Sequence, residues 1–171
     1  MPKHRINHSQ NGNSVKSTHT LDDMDRRILS ELQSNAAIGN SDLAERVGSS
    51  TASVWRRVKA MEAQGLLRRS VWLLDQAVLG YGVNVLCNIR VRNHSREVRS
   101  AFETFVAGRP EILESFSMSG DWDYLLRIVA RDVADYERFL MNVLVEHPSV
   151  GGASSHFALS LTKYTTALPL P

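Results

Sequence analysis

Residues 41–66 contain two short helical patterns separated by one glycine, and this segment limits the possible folds more than any other part of the chain. Apolar residues in both patterns recur every three or four positions, as along one face of a helix: Leu43, Val47, Val54, Val58 and Met61. Gly48 ends the first pattern and Gly65 the second, because glycine adopts the left-handed conformation that often follows a helix. Two short helices joined by a tight turn predict a helix-turn-helix.

The outward face of the second predicted helix is polar and basic. Arginine can fork onto guanine in the major groove of DNA, and hydroxyl groups can bind bases or phosphates. The predicted DNA-binding residues are Ser50, Thr51, Ser53, Arg56, Arg57 and Lys59. An ordinary hairpin of two helices with a solvated basic face is the alternative interpretation. Trp55 adjoins the inward-facing Val54 and Val58, and we predict that it packs against them rather than reading bases.

Positive charge is concentrated in the same part of the chain. Residues 1–69 contain 11 lysines and arginines against 7 acidic residues, whereas residues 70–171 contain 9 against 11, so the +2 net charge divides into +4 and −2. Clustered positive charge adds affinity for phosphates by releasing counterions. The asymmetry is modest, and it supports double-stranded DNA as a partner.

A third helix precedes this pair. Its apolar stripe is Leu21, Met24, Ile28, Leu29 and Leu32, and Thr20 or Asp22 can cap its start. We therefore predict a helix-turn-helix domain, winged-helix-like in type, over residues 21–65. Residues 1–20 are polar and predict a flexible tail, whose three histidines lack the spacing of metal ligands.

Beyond Gly65 the helical period gives way to extended patterns. Residues 66–81 read as a strand or extended linker, in which Trp72 has little core of its own and is expected to pack against a second subunit. The remaining residues, 82–171, predict strands at 83–91, 112–119, 124–130 and 150–164, with helices at 95–107 and from Asp132 or Asp135 to His147. The order β-α-β-β-α-β is that of the ferredoxin-like arrangement. The fold class is thus α+β, and the sheet face left open by the helices predicts dimerisation.

Composition narrows the functional classes. The chain of 171 residues is 43% hydrophobic, has no run near the ~18 apolar residues of a membrane span and lacks a signal-peptide pattern. Its single cysteine, Cys87, is compatible with a reducing cytoplasm, and we expect a cytoplasmic protein without membrane contact. An enzyme is the main rival, since ferredoxin-like domains also occur in catalytic proteins. No catalytic, metal or cofactor motif supports it, and we expect no cofactor.

The motifs LDDMDRRILSELQ, LAERVG, RRVKAMEAQGLL and, most specifically, SGDWDYLLRIV at residues 119–129 resemble the Lrp/AsnC, or feast/famine, family of transcription regulators. The resemblance covers residues 21–169. The ending SSHFALSLTKYTTALPL is similar to the branch of cysteine-responsive and branched-chain-catabolism regulators. Many members have prolines near the start of the recognition helix, where this chain has Thr51-Ala52-Ser53. The start of this helix therefore departs from the family pattern, and the base contacts that family members make there do not transfer directly to these residues.

The resemblance implies a sequence-specific DNA-binding regulator that responds to an amino acid, is at least a homodimer through its C-terminal sheets, and assembles further, often to octamers. It places the effector near the SGD-type turn, where Asp121 can meet the ammonium and the backbone at Gly120 the carboxylate. The effector-binding residues implied are Met118, Gly120, Asp121, Tyr124, Ser154 and Ser155, with His156 beside them. Cysteine or a branched-chain amino acid is favoured as effector. Two alternatives remain: a turn with a purely structural role, and a nucleoid-type architectural DNA-binding protein without an effector.

Overall fold

The computed structural model describes residues 20–171, and in its first part three short helices follow one another: α1 (Asp23–Ser34), α2 (Asn40–Val47) and α3 (Thr51–Ala63). Asp22 caps α1, and its side chain accepts a hydrogen bond from the N–H of Asp25 at 2.8 Å. Gly48 ends α2 with φ of 70°, the left-handed conformation expected of it. The predicted tail, apart from Thr20, lies outside the described residues.

The three helices enclose one apolar cluster. Its buried members are Leu21, Ile28, Leu29, Leu43, Ala44, Val47, Val54 and Met61. The apolar faces predicted for these helices are therefore confirmed, with Val58 partly buried at the edge of the cluster. Residues 66–75 run on without a hydrogen-bonded strand partner, and Trp72 is 87% exposed in the single chain.

The end of the chain belongs to this same unit. Contacts between the described residues divide them into Leu74–Thr162 and a second unit that joins Lys163–Pro171 to residues 20–73. The N–H of Leu168 donates to Oε1 of Gln33 at 2.6 Å, and Nε2 of Gln33 donates back to the Leu168 carbonyl at 3.1 Å. Leu170 packs, partly buried, against the helical cluster. The sequence predicts residues 82–171 as one domain, whereas the last nine residues lie with the helices.

Leu170→Ala is expected to lower the stability of the helical unit by about 1–2 kcal/mol, because it removes a partly buried side chain from a small core. Leu168→Ala is the matched control, since the Leu168 side chain is 73% exposed and its backbone bonds to Gln33 remain. Native-state hydrogen exchange of the α1 amides measures the difference. Equal protection in the two variants would show that the C-terminal segment contributes no packing.

The unit of residues 74–162 is a four-stranded antiparallel sheet with helices on one face. Its strands are β1 (Val83–Val91), β2 (Ile112–Ser117), β3 (Tyr124–Ala130) and β4 (Val150–Phe157), arranged in the order β2-β3-β1-β4. Its helices are α4 (Arg96–Ala107) and α5 (Val133–Phe139), and a π-helical turn continues α5 through Leu140–Leu144. The predicted βαββαβ order and the α+β class are confirmed.

Successive side chains along each strand point to opposite faces of this sheet. One set of residues packs under the helices around Phe102 and Leu144: Val85, Cys87, Ile89, Leu126 and Ile128. The opposite set lies on the uncovered face, where Leu86 is 39% and Phe116 50% exposed. β4 ends at Phe157 instead of running to residue 164, as was predicted. Its last pair with β1 joins Phe157 to Val85, and the N–H of Ala158 then donates to the carbonyl of Asn84 at 2.9 Å.

Candidate DNA-binding and effector sites

α3 presents one exposed face to solvent. Val54 and Met61 bury the opposite side of the helix in the three-helix core. The exposed residues of the first two and a half turns are Thr51, Ala52, Trp55, Arg56 and Lys59. Ser50 caps the helix with its Oγ, which accepts from the N–H of Ser53 at 3.3 Å, and Ser53 itself is half-buried. Four of the six predicted DNA-binding residues, Ser50, Thr51, Arg56 and Lys59, are thus exposed at this face or its start.

Arg57 occupies a different side of the helix. It follows Val54 by three residues and precedes Met61 by four, a spacing that puts it next to the buried stripe. Its Nη1 donates to Oδ2 of Asp22 and to Oδ1 of Asp25, each at 2.7 Å. Arg57 therefore links α3 to the start of α1. This geometry favours a structural role for Arg57 over the predicted contact with DNA.

The acidic partners of Arg57 are themselves held in place. The N–H of Asp25 and then the Arg57 guanidinium hold the pKa of Asp22 below its ordinary value of 3.8. Lys59, by contrast, pairs only with Glu62 of its own helix among residues 20–171, at 2.6 Å, and both side chains are about half exposed. An exposed pair of this kind contributes little, so Lys59 can exchange Glu62 for a phosphate at small cost.

Trp55 was predicted to pack, and this prediction is wrong. Its side chain is 53% exposed, on the same face as Ala52 and Lys59. Adjacency to Val54 in sequence misled the interpretation, because neighbouring residues on a helix point about 100° apart. Spacing by three and four residues links Trp55 to the exposed Ala52 and Lys59, but spacing by three also links it to Val58, so the sequence pattern did not decide its face.

The turn between β2 and β3, residues 118–123, is firmly held. Gly120 has φ of 118°, which a side chain would strain, and the N–H of Met118 donates to the carbonyl of Asp123 at 2.9 Å. The Asp123 carboxylate accepts from the N–H of Val91 at 2.8 Å. Within residues 20–171 the exposed carboxylate of Asp121 takes part in no ion pair, which leaves it available to a cationic group.

Arg90 of β1 supports this turn and was not anticipated from the sequence. Its Nη2 and Nε donate to the carbonyl of Asp121 at 2.9 and 3.2 Å, and its guanidinium lies 5.0 Å from the centre of the Trp122 ring. Cation–π contact and two hydrogen bonds together fix the main chain where the SGD segment bends. The available signal was that Arg90 is the one charged residue of β1.

Two of the predicted effector-binding residues lie on the covered face of the sheet. The Tyr124 ring packs 4.8 Å from that of Phe102, its hydroxyl donates to Oε1 of Glu103 at 2.9 Å, and burial raises its pKa to about 12. Ser155 shares a hydrogen bond of 2.5 Å with the hydroxyl of Tyr136. The prediction does not hold as a single cluster, because strand alternation points Tyr124 and Ser155 away from the open face.

The other predicted effector residues remain on the accessible side. Met118 is 43% exposed, while Gly120 and Asp121 form the tip of the turn. Ser154 alternates with Ser155 and so belongs to the open face, where its Oγ lies 3.3 Å from Nε2 of His156. A zwitterion at this turn would meet a free carboxylate, backbone N–H groups and an apolar thioether.

Among residues 20–171, no group of three or more histidine, cysteine, aspartate or glutamate side chains is arranged to hold a metal ion. In the same part of the chain, no helix combines the length and apolar character needed to cross a membrane.

Comparison with known proteins identifies both units. Residues 21–62 match the AsnC-type helix-turn-helix domain, and residues 84–168 match the Lrp/AsnC ligand binding domain. The DNA-binding transcriptional activator DecR of Escherichia coli (strain K12) is 35% identical over 150 residues, which cover 88% of this chain and 99% of DecR.

Two solved structures resemble the chain over most of its length. An AsnC family transcriptional regulator from Agrobacterium tumefaciens is 42% identical with a TM-score of 0.83, and the match covers 87% of this chain and 97% of that one. A transcriptional regulator from Neisseria meningitidis, solved as a complex with L-Met, is 34% identical with a TM-score of 0.85 and coverage of 88% and 97%.

Proposed function

Since the chain belongs to the Lrp/AsnC family of transcriptional regulators, we propose that the exposed face of α3 contacts operator DNA and that an amino acid bound at the turn of residues 118–123 controls this contact. The protein is a DNA-binding regulator that responds to an amino acid, and not an enzyme. What the family does not specify is which side chains of this chain carry each role.

The exposed basic face of α3 is the observation that supports the DNA contact. Arg56 is exposed and, within residues 20–171, has no ion-pair partner, so its guanidinium is free to fork onto a base or a phosphate. Thr51 and Ser53 lie near the start of the helix, where base edges are usually read, and Ser50 can donate to a phosphate. Lys59 adds a second positive charge one turn further on.

A selection experiment tests the DNA contact. Duplexes that the protein retains from a random-sequence pool are expected to share a pseudo-palindromic site, since a two-fold dimer presents two copies of α3. Retention of DNA without any shared sequence would favour the architectural alternative, in which the protein packages DNA without regulating particular operators.

We assign the effector to the exposed part of the SGD-type turn. The Asp121 carboxylate pairs with the ammonium group, and backbone N–H groups around Gly120 receive the carboxylate. Met118 and the neighbouring Phe116, 43% and 50% exposed, offer an apolar surface for the effector side chain. An apolar or sulfur-containing amino acid fits this surface best: cysteine, a branched-chain residue, or methionine, the ligand named for the Neisseria regulator. The site acts in the cytoplasm, where the DNA lies.

The open face of the sheet supports assembly into a homodimer, and further assembly to an octamer is proposed from the family. Leu86 lies on the central strand β1 of that face and is 39% exposed in the single chain. Leu86→Lys is expected to shift the protein towards monomer, because a charge would be buried in an apolar contact. Val133→Lys is the control, since Val133 is 58% exposed at the start of α5.

Light scattering at micromolar concentration distinguishes these states. The unchanged protein and Val133→Lys should both measure at least twice the 19.1 kDa mass of one chain. A monomeric unchanged protein would contradict the proposed assembly.

A further inference from the structure

A shallow hollow of about 600 Å³ opens beside the start of α3. It is lined by Asn40, Thr51, Ala52, Trp55 and Arg56. The indole of Trp55 and the methyl group of Ala52 make much of its wall apolar, and the guanidinium of Arg56 borders it. All five residues are exposed, so the hollow is open to a large partner.

Trp55 is not needed by the core of its unit. Val54 and Met61 occupy the inward positions of α3 at 0% and 3% exposure, whereas 53% of Trp55 remains in water. Tryptophan is enriched at interfaces, and the exposed indole of Trp55 adjoins the methyl group of Ala52 and the guanidinium of Arg56 in one hollow that a partner can cover. The helical spacing places it between Ala52, three residues before, and Lys59, four residues after.

We propose that Trp55, with Ala52, is a specificity-determining residue of α3 that seats the C5 methyl group of a thymine in the major groove. The proposal rests on the proposed DNA contact of the same helix. Thymine is the one base whose major-groove edge carries a methyl group, and apolar side chains recognise it by contact.

The surroundings of the hollow favour DNA as its occupant. Arg56 and Lys59 flank Trp55 on the exposed face and supply positive charge for the backbone phosphates on either side of a contacted base. Most of the wall is apolar surface, which suits a methyl group on a base edge better than a charged phosphate. These residues lie in the first half of α3, the part of a recognition helix that reaches base edges.

Replacement of thymine by deoxyuridine tests this contact, because it removes only the methyl group. The probe is the duplex that the protein itself selects from a random-sequence pool, with each thymine replaced in turn. For the unchanged protein, replacement of one particular thymine of each half-site is expected to lower the affinity about 5- to 20-fold. Trp55→Ala is expected to bind the thymine-containing duplex more weakly than the unchanged protein does. Replacement of that thymine by deoxyuridine is expected to leave the affinity of Trp55→Ala unchanged.

Two further variants serve as controls. Trp55→Phe keeps an apolar ring and is expected to retain part of the sensitivity to the methyl group, which separates contact from misfolding. Leu66→Ala removes an apolar side chain of 40% exposure beyond the end of α3 and is expected to keep the full thymine dependence.

The outcomes distinguish this inference from the proposed function. If Arg56→Ala weakens binding while Trp55→Ala shows the same deoxyuridine profile as the unchanged protein, the thymine contact is overturned and the DNA contact stands. If Trp55→Ala changes the mass of the assembly and leaves DNA affinity unaltered, the indole covers a protein surface and the inference is overturned. If the unchanged protein retains no duplex, both proposals fail.

Discussion

Alanine substitutions at the adjacent residues Arg56 and Arg57 are expected to give opposite results. Arg56→Ala should weaken operator binding by about 10- to 100-fold, corresponding to about 1–3 kcal/mol for a bidentate contact with a base. Its unfolding should be unchanged, since Arg56 is exposed. Arg57→Ala should lower the stability of the helical unit by about 1–2 kcal/mol, because it leaves the mostly buried Asp25 without its cation.

The stability loss of Arg57→Ala should depend on pH. The N–H of Asp25 and the Arg57 guanidinium hold the pKa of Asp22 below its ordinary value of 3.8. The bond to Arg57, which the variant removes, therefore stabilises the fold above that pH and loses this effect as the carboxylate becomes protonated. The difference between Arg57→Ala and the unchanged protein is therefore expected to be full near pH 7 and to shrink as the pH falls below 3.8. Urea unfolding at both pH values measures it. An unfolding curve for Arg57→Ala that overlays the unchanged one at pH 7 would contradict the structural role.

Asp121→Asn is expected to weaken effector binding by at least about 10-fold, since the amide keeps the size of the side chain but removes the charge that pairs with the ammonium. The main chain of the turn should survive the change, because Arg90 holds the Asp121 carbonyl and not its carboxylate. Calorimetric titration with each of the twenty amino acids provides the measurement.

Glu137→Gln is the matched control for this substitution. Glu137 is an exposed acid of the same unit on α5, and its neutralisation changes the net charge by the same amount. It is expected to bind the effector as the unchanged protein does. Equal affinity of Asp121→Asn and Glu137→Gln would assign the turn a purely structural role.

Most of the fold could be predicted from local sequence patterns. The helices of residues 21–65 follow from apolar spacing and from the glycines that end them, and the βαββαβ order follows from strand patterns and caps. These signals involve residues within a few positions of one another. Features that depend on distant partners did not follow: the end of β4, where pairing with β1 stops, and the bonds of Gln33 to Leu168.

The two candidate sites show the same difference between local features, which the sequence predicts, and long-range features, which it does not. Period-2 alternation shows that Ser154 and Ser155 point to opposite faces, but the sequence does not say which face the helices cover. Tyr124 and Ser155 were therefore grouped with residues from which the sheet separates them. Arg57 was grouped with Arg56 because both are basic, and its acidic partners lie over 30 positions earlier in the chain.

Coupling between the two sites is the central claim, and a ligand can change DNA binding only through different affinities for two states of the assembly. The most direct test measures the affinity for a selected operator duplex with and without the amino acid that calorimetry identifies, in the unchanged protein and in Asp121→Asn. The unchanged protein is expected to shift by about 5- to 150-fold, the usual range of such coupling, while Asp121→Asn binds the duplex equally with and without the amino acid. An affinity that no amino acid alters, or a shift that Asp121→Asn retains in full, would contradict control of DNA binding through the 118–123 turn.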